Sequence, residues 1–484
     1  MKTMKTVVAV AFTLALTAVT ASATAVAAPK LVLHVDFNTA QLRRETVSDM
    51  LHEAAQSGYN AILWEIEDKV KLDSLPGVPV EEAFSKEEFR GLLREAEQLG
   101  LEPIPLFQTF GHAEYVLSKP AYTNLREQAD RYDCYCVSKP EVTALQKKVV
   151  AEYLDLFGPK VKWFHLGGDE AHVFATCPVC KARKPMELYA EHLDAVASVL
   201  RAKGVRPGIW CDMVLKDAYV ADLAKVPRDF IIWHWDYQVG APSAWVCPWT
   251  KKLPMARDLG FDVVFSGSSS SYGDSPYLPE MRIHRDNLAY GADLVRRENL
   301  AGLCVTSWSV RQNLKQLQKP LVRFAARRLR NPGASAATDW AEVLPTCGVK
   351  MTPADFDAFT AWASVICKYD GRDWHWFKDA VPPPADELDR VLAKHGKPDA
   401  ATVSNLLAGV RRTLPQATGV WREAGELQLK QLESYAAMAS GASPVPPPSD
   451  DVVRHYGREQ ISSSARNSAA IVLGLSACKN EKLK

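Results

Sequence analysis

The sequence predicts an α/β protein that folds as a (β/α)8 TIM barrel with a C-terminal helical region. Strand-like and helix-like segments alternate from residue 31 to about residue 310, and eight of these segments have the pattern of strands. Such an alternation is typical of a parallel sheet, and eight repeats are enough to close the sheet into a barrel. An open, doubly wound sheet is the competing interpretation, but no glycine-rich dinucleotide motif follows the first strand.

The predicted strands and helices follow one another in a regular order. The strand patterns occupy residues 31–38, 59–68, 101–112, 161–170, 206–214, 229–237, 262–272 and 300–310. The helical patterns between them occupy residues 45–58, 85–100, 143–158, 184–204, about 250–259 and 280–299. Ser85 and Glu88 have the spacing of a capping box at the start of the second helix, and Gly100 marks its end.

The N-terminal segment has the pattern of a targeting sequence. Residues 1–28 combine early lysines with a short apolar run and small residues before Pro29, which predicts a secretory signal peptide cleaved after Ala28. A membrane anchor is the alternative, but the apolar run is short for a bilayer. We therefore expect an exported protein, periplasmic or secreted, without membrane insertion.

The rest of the chain divides into a barrel and a helical segment. The barrel is expected to occupy residues 29–330, because the strand pattern stops near its end. Residues 331–484 are predicted to form a C-terminal helical region, since 382–396 and 401–440 have helical patterns between proline-rich segments.

Charge argues against two classes of partner. The chain has 58 basic and 57 acidic residues and contains no run of lysines or arginines. Nucleic acids and anionic membranes are therefore poor candidates as partners.

Acidic and aromatic residues collect at the C-terminal ends of the predicted strands, where the active sites of such barrels lie. These strand ends carry Asp36, Glu65, Glu67, Asp68, His112, Glu114, Trp210, Asp212, Trp235, Asp236, Tyr237, Trp308 and Arg311. Carboxylates bind sugar hydroxyls and aromatic rings stack on sugar C–H faces, so the set predicts a carbohydrate pocket. Structural alternatives remain open: Trp210 and Trp233 as core, Asp36 and Glu67 as buried ion pairs, and His112 as a satisfied interior histidine.

Two adjacent acids end the fourth predicted strand, in the segment WFHLGGDEAH at residues 163–172. Adjacent strand residues point to opposite faces, but Gly167 and Gly168 let the backbone leave strand geometry. Asp169 and Glu170 can then contact one ligand. We expect the neighbouring carboxylate to raise the pKa of Glu170 and keep it protonated.

The same residues carry a resemblance to a known family. HLGGDEAH resembles the H-x-G-G-D-E signature of family 20 glycoside hydrolases, the β-N-acetylhexosaminidases, in which this run bears the catalytic pair. The match is closest to the hexosaminidase D branch, which LFQTFGHAEYVLSKPAYTNLRE (106–127), LWEIED (63–68), WCDM (210–213) and WDY (235–237) also resemble in the same order. The similarity covers about residues 31–320.

The resemblance implies an exo-β-N-acetylhexosaminidase that removes terminal GlcNAc or GalNAc without a cofactor. In such enzymes the substrate's 2-acetamido oxygen attacks the anomeric carbon and forms an oxazolinium ion. Glu170 is then the general acid and base, and Asp169 orients the acetamide. Tyr237 and Tyr272 are alternatives for the tyrosine on the acetamide oxygen, and Trp308 fits the pocket floor.

The remaining substrate-binding candidates are Asp36, Glu67, His112, Glu114, Trp210, Asp212 and Trp235. Two other functions remain as alternatives: a catalytically inactive sugar-binding barrel, and a glycosidase that acts on hexosides without the acetamido group.

Four of the ten cysteines are grouped, as Cys134 with Cys136 and Cys177 with Cys180. The C-x-C and C-x-x-C spacings suit a structural zinc site with four thiolates, whereas disulfides or free thiols suit an exported protein. Either arrangement is expected to brace the loop after Glu170. A catalytic metal is not expected, because no histidine has the matching spacing.

Overall fold

The structure is a computed structural model that describes residues 28–241, 247–309, 313–362 and 387–477, and it shows a closed barrel of eight parallel strands. The strands are β1 (Lys30–Asp36), β2 (Ala61–Glu65), β3 (Glu102–Leu106), β4 (Trp163–His165), β5 (Arg206–Trp210), β6 (Ile231–Trp235), β7 (Asp262–Ser270) and β8 (Gly302–Ser307). β8 closes the ring by pairing with β1. The predicted barrel is therefore confirmed.

Helices follow the strands and cover the outside of the ring. They are α1 (Arg44–Ser57), α2 (Lys86–Gln98), α3 (Glu114–Leu117), α4 (Pro140–Phe157), α5 (Pro185–Arg201), α6 (Asp212–Leu215), α7 (Leu253–Asp258), α8 (Met281–Glu298) and α9 (Lys315–Arg330). The predicted capping box is present at α2, where the Ser85 hydroxyl accepts the Glu88 N–H and the Glu88 carboxylate accepts the Ser85 N–H.

Several strands end earlier than the apolar pattern predicts. β3 ends at Leu106 and β4 at His165, although the pattern continues to residues 112 and 170. The reason is that the loops at this end of the barrel are themselves buried. Phe110 and Leu166 are fully buried outside any strand, so hydrophobicity does not mark the point where strand pairing stops.

The C-terminal region is helical, as expected. It contains α10 (Ala336–Thr346), α11 (Pro353–Thr360), α12 (Glu387–His395), α13 (Ala400–Thr413), α14 (Gly419–Ser440), α15 (Ser449–Tyr456) and α16 (Ser462–Ala477). The continuous pattern at 401–440 forms two helices, because Pro415 cannot donate a backbone hydrogen bond and Gly419 has a positive φ of 56°. The first residues of the pattern at 382–396 lie outside the described residues.

The C-terminal helices contact the loops at the C-terminal ends of the strands. The Glu459 carboxylate accepts the backbone N–H groups of Lys315 and Gln316 at the start of α9. Leu42 and Gln460 form an antiparallel bridge between the loop after β1 and the segment before α16. The far end of the chain therefore packs against the part of the barrel where the site lies.

Two sequence predictions fall largely outside the described residues. They are the signal peptide, of which only Ala28 is described, and the strand-end residue Arg311. Within the described part of the chain, we find no helix that is long and apolar enough to cross a membrane.

Candidate active site

The adjacent acids after β4 converge on one imidazole from the loop after β3. The Nε2 atom of His112 lies 3.3 Å from Oδ2 of Asp169 and 3.4 Å from Oε2 of Glu170. Asp169 is buried, with 8% of its side chain exposed, whereas 31% of the Glu170 side chain is exposed. The two carboxylates therefore belong to one cluster, and Glu170 is the member that solvent reaches most easily.

Backbone geometry explains how neighbouring residues reach the same partner. Glu170 has a positive φ of 43°, and Gly168, two residues earlier, has a φ of 91°. A Cβ atom on Gly168 would lie 2.5 Å from the Tyr189 hydroxyl, which donates a hydrogen bond to the Gly168 carbonyl oxygen. His112 also has a positive φ, of 51°. Positive φ at non-glycine residues stores strain, and such residues cluster at functional sites.

The charges of the cluster shift the pKa values of its members. Burial by itself would lower the pKa of His112, but the charges and hydrogen bonds of Asp169 and Glu170 outweigh burial and raise it well above 6.5. Burial would raise the pKa of Glu170, but the hydrogen bond and charge of His112 lower it below 4.5. The expectation of a raised Glu170 pKa was therefore wrong, because it considered the neighbouring acid and not the imidazole.

Asp212 supports the cluster from the end of β5. Its Oδ2 atom accepts the backbone N–H of Glu170 at 2.9 Å, and its Oδ1 atom accepts the indole N–H of Trp235 at 3.3 Å. Burial and the charge of Asp169 raise the pKa of Asp212 to about 7. Asp212 therefore holds the backbone of Glu170, and both of its oxygens are already engaged.

One carboxylate oxygen of the cluster has a different environment. Oδ1 of Asp169 is buried and accepts no hydrogen bond from any described residue. A buried carboxylate oxygen without a donor is costly, because it has lost water and gained nothing in return. This atom is suited to accept a hydrogen bond from a ligand.

An aromatic wall stands beside the carboxylates. The Tyr237 hydroxyl accepts the indole N–H of Trp308 at 2.8 Å, and the ring of Trp235 stacks on Tyr237 with centroids 5.3 Å apart. Trp210 is fully buried and lies 5.9 Å from Trp308. Burial raises the pKa of Tyr237 well above 10, so its hydroxyl keeps its proton.

The two candidate tyrosines have different surroundings. Tyr237 lies close enough to Asp169 for that charge to help raise the pKa of the phenol. Tyr272 has 36% of its surface exposed in the loop after β7. Its neighbour Asp274 binds its own loop, by accepting the backbone N–H of Ser271 at 2.8 Å. The structure therefore favours Tyr237 as the tyrosine of the site.

Other predicted residues lie at the same end of the barrel in structural contacts. Asp36 accepts the backbone N–H groups of Asn38 and Ser309, both at 2.7 Å, and thereby ties the loop after β1 to the loop after β8. Glu67 accepts the side-chain amide of Asn38 at 3.3 Å. Glu114 is buried at the start of α3.

Gln108, which was not among the predicted site residues, supports the loop that carries Asp169 and Glu170. Gln108 donates a hydrogen bond to Glu65 at 3.0 Å, and its carbonyl oxygen accepts the backbone N–H of Gly168 at 3.3 Å. Glu65 in turn lies 3.1 Å from the Nε2 atom of His34. Gln108 lies in the segment LFQTFGHAEYVLSKPAYTNLRE that carries the family resemblance, but the resemblance assigned no role to this glutamine.

Among the residues that the structure describes, two groups of side chains could hold a metal ion. One is formed by His34, Asp36 and Glu65 in the barrel, where Asp36 and Glu65 already accept the hydrogen bonds described above. The other is formed by Glu127, Cys136, Cys177 and Cys180. The second group contains three of the four cysteines that the sequence analysis offered as zinc ligands, with Glu127 in place of Cys134, whose sulfur faces the Tyr135 carbonyl oxygen at 3.6 Å. All four of the grouped cysteines are free thiols, so the structure contains no disulfide among them.

Comparisons with known proteins identify relatives of the whole barrel. The family model for the glycosyl hydrolase family 20 catalytic domain matches residues 32–350. Hexosaminidase D of Bos taurus is 29% identical over 293 residues, which cover 57% of this chain and 83% of the bovine protein. Hexosaminidase D of Homo sapiens is 27% identical over 293 residues, also 57% of this chain, and the match covers 59% of the human protein.

A solved structure shares the fold. The X-ray structure of a chitobiase from Flavobacterium johnsoniae aligns with a TM-score of 0.52 at 14% identity, over 90% of this chain and 77% of that chain.

Proposed function

This chain belongs to glycoside hydrolase family 20 and is a glycoside hydrolase of the hexosaminidase type. From that premise we propose that it removes terminal, non-reducing β-linked GlcNAc or GalNAc by a retaining, substrate-assisted mechanism. The observation that carries the proposal is that the two adjacent acids differ in hydrogen bonding and in exposure. Asp169 has a buried oxygen that lacks a donor, whereas Glu170 is partly exposed beside an imidazole.

Asp169 and Tyr237 are proposed to hold the acetamido group of the substrate. The unpartnered Oδ1 atom of Asp169 accepts a hydrogen bond from the acetamide N–H, and the Tyr237 hydroxyl donates a hydrogen bond to the acetamide oxygen. This arrangement aims that oxygen at the anomeric carbon. As the oxygen–carbon bond forms, positive charge develops on the acetamide nitrogen, and the Asp169 carboxylate stabilises it.

Glu170 is proposed to supply the proton for the leaving oxygen, with His112 as its source. The pKa shifts leave Glu170 ionised and His112 protonated in the free enzyme. Transfer of that proton from Nε2 to Oε2, 3.4 Å away, produces the neutral acid without changing the net charge of the cluster. Exclusion of water by a bound substrate favours this neutral pair over the ion pair.

The first step then breaks the glycosidic C–O bond while the acetamide oxygen bonds to the anomeric carbon, and the Glu170 proton goes to the leaving oxygen. In the second step the Glu170 carboxylate takes a proton from water. The water oxygen attacks the anomeric carbon and opens the oxazolinium ring. Two displacements at one carbon retain the β configuration.

A panel of nitrophenyl β-glycosides with and without the 2-acetamido group tests the reaction type. We expect turnover of the N-acetylglucosaminide and N-acetylgalactosaminide and no comparable turnover of the glucoside or galactoside. Equal turnover of the plain hexosides would favour the glycosidase that needs no acetamido group. Binding of N-acetylhexosamines without turnover of any glycoside would favour the inactive sugar-binding barrel.

We also propose that the protein is exported, because residues 1–28 have the pattern of a signal peptide. Mass spectrometry of the mature protein should find its N-terminus at about Pro29. Recovery of the intact N-terminus from a membrane fraction would contradict the proposal.

A further inference from the structure

Four side chains of the types that bind metal ions lie between the segment after His112 and the segment after Glu170. We define the thiol cluster as Glu127, Cys136, Cys177 and Cys180. The Cys136 sulfur lies 3.7 Å from the Cys177 sulfur and 3.8 Å from the Cys180 sulfur. Oε2 of Glu127 lies 3.5 Å from the Cys180 sulfur. All four ligand atoms lie within 4.8 Å of one another.

These separations have the dimensions of a tetrahedral zinc site. Zinc binds sulfur at about 2.3 Å and a carboxylate oxygen at about 2.0–2.2 Å, so the edges of the tetrahedron are about 3.8 Å between sulfurs and about 3.5–3.7 Å between sulfur and oxygen. The observed sulfur–sulfur and oxygen–sulfur distances agree with both values. We propose that the thiol cluster binds one structural zinc ion.

The carboxylate of Glu127 is held in the orientation that such a site requires. Its Oε1 atom accepts the backbone N–H groups of Thr176 and Cys177, both at 2.8 Å, which leaves Oε2 directed at the thiols. Glu127 is buried. A buried carboxylate beside three ionisable thiols is an arrangement that a divalent cation stabilises.

Further hydrogen bonds orient the sulfur ligands. The backbone N–H of Cys180 donates to the Cys177 sulfur at 3.4 Å, and the Ser138 hydroxyl lies 3.0 Å from the Cys180 sulfur. These contacts hold the two sulfur atoms in position.

The distances between the sulfur atoms fit a disulfide less well than they fit a zinc site. Cys136 is almost equidistant from its two thiol neighbours, so a bond to either one would pull that pair to about 2.05 Å and leave the third thiol and Glu127 without a role. Thiolate ligands in a tetrahedral set favour zinc over magnesium or calcium, which prefer oxygen ligands in larger coordination shells.

The zinc ion would link the loops that carry His112 and Glu170. Glu127 and Cys136 lie after His112 in the loop between β3 and α4, and the Cys177–Cys180 segment follows Glu170 between β4 and α5. Four protein ligands leave no open coordination position, so the ion is structural and takes no part in the reaction. The inference concerns metal content and does not rest on the proposed function.

Metal analysis of the full chain, purified without chelator or added metal, tests the site. We expect one zinc ion per chain, and we expect Cys177→Ser to lose it. Cys134→Ser is the matched control, because that buried sulfur is close in sequence but faces a carbonyl oxygen, and this variant should keep its zinc. Metal-free wild-type protein, whether the three cluster cysteines are free thiols or form a disulfide detected by mass spectrometry, would overturn the proposal.

Glu127→Gln tests the fourth ligand without removing a sulfur. Glutamine keeps an oxygen for the two backbone N–H groups but lacks the carboxylate charge, so a chromophoric chelator should remove zinc at least about tenfold more readily than from wild type. Cobalt substitution gives a second readout, since tetrahedral thiolate ligation produces intense charge-transfer and visible bands. Unchanged zinc affinity in Glu127→Gln would exclude Glu127 as a ligand.

Discussion

Acids at the same end of the barrel belong to two groups with different contacts. Asp36, Asp236 and Asp274 are buried, and their oxygens accept backbone N–H groups of the loops at this end of the barrel. Asp169 and Glu170 face an imidazole, and one Asp169 oxygen lacks any donor among the described residues. Both groups are carboxylates at the C-terminal end of the barrel, so neither the side-chain chemistry nor the position in the fold distinguishes them.

At this end of the barrel, the difference teaches that hydrogen-bond satisfaction separates the acids that hold loops from those that are proposed to contact the substrate. An acid whose oxygens are already engaged by its own loop stabilises that loop and has little capacity left for a ligand. An acid with an unpartnered buried oxygen costs stability in the free protein, and this cost is offset when a ligand binds. Substitutions in the two groups should therefore damage different properties.

The largest expected effect comes from Glu170→Gln. The variant cannot protonate the leaving oxygen, so hydrolysis of a substrate with a sugar leaving group should fall about 10²–10⁴-fold. A nitrophenolate leaves with little help, so cleavage of the nitrophenyl glycoside should fall far less. Rates for a chitobiose-type and a nitrophenyl substrate give the comparison. Equal losses on both would argue against Glu170 as the general acid.

Asp169→Asn should slow both substrates in parallel, by about 10²–10³-fold, because it removes charge stabilisation from the intermediate whatever the leaving group. A thiazoline mimic of the intermediate should also bind this variant more weakly than it binds the wild type. Inhibitor titration measures that affinity. A covalent sugar trapped on the Asp169→Asn variant would mean that the substrate-assisted assignment is wrong.

His112→Gln should move the basic limb of the pH profile of kcat/KM to lower pH. In the wild type the shared proton is lost as the pH rises through the raised pKa of His112. In the variant Glu170 must hold that proton itself, with a pKa that burial raises and that the hydrogen bond and charge of His112 no longer lower. We expect a shift of at least about one pH unit.

His172→Gln is the matched control for this shift. His172 is exposed, and its charge makes a smaller contribution to the pKa of Glu170 than His112 does. Its pH profile should stay close to that of the wild type. An unchanged basic limb in His112→Gln would show that His112 does not hold the shared proton.

The smallest effect on activity is expected for Asp274→Asn, among the acids that hold loops. Asp274 accepts the N–H groups of Ser271 and Glu280 and lies 2.9 Å from the His284 imidazole. An amide replaces one acceptor by a donor, so the free energy of unfolding should fall by roughly 1–3 kcal/mol. Denaturation and kinetics measured on one preparation test the separation. A loss of kcat with full stability would place Asp274 among the acids that contact the substrate.

The fold was more predictable from sequence than the site. The alternation of patterns identified all eight strands, because each buried strand leaves an apolar run of its own. Strand ends at Leu106 and His165 were placed too late, since buried loops such as the one at Phe110 continue the same run.

Within the site, the H-x-G-G-D-E motif located Asp169 and Glu170, but it could not predict which charged groups surround them. The pKa of Glu170 depends on the imidazole of His112, which lies far earlier in the chain, and no local spacing reveals that contact. The same limit applies to Glu127, which joins the thiols only through tertiary structure and has no fixed spacing from Cys177 that a motif could use.

The contact between Glu459 and the start of α9 has a consequence for how the protein is made. Glu459 binds the backbone of Lys315 across 144 residues of sequence. At a synthesis rate of about 5–20 residues per second, all eight strands leave the ribosome roughly 10–30 s before that carboxylate exists. We expect nascent chains arrested before residue 459 to be cut by protease at the loops after β1 and β8, and longer chains to resist. A chain that stops before residue 459 would lack the contacts of Glu459 with Lys315 and of Gln460 with Leu42 permanently, so we expect an early stop codon to expose the same loops.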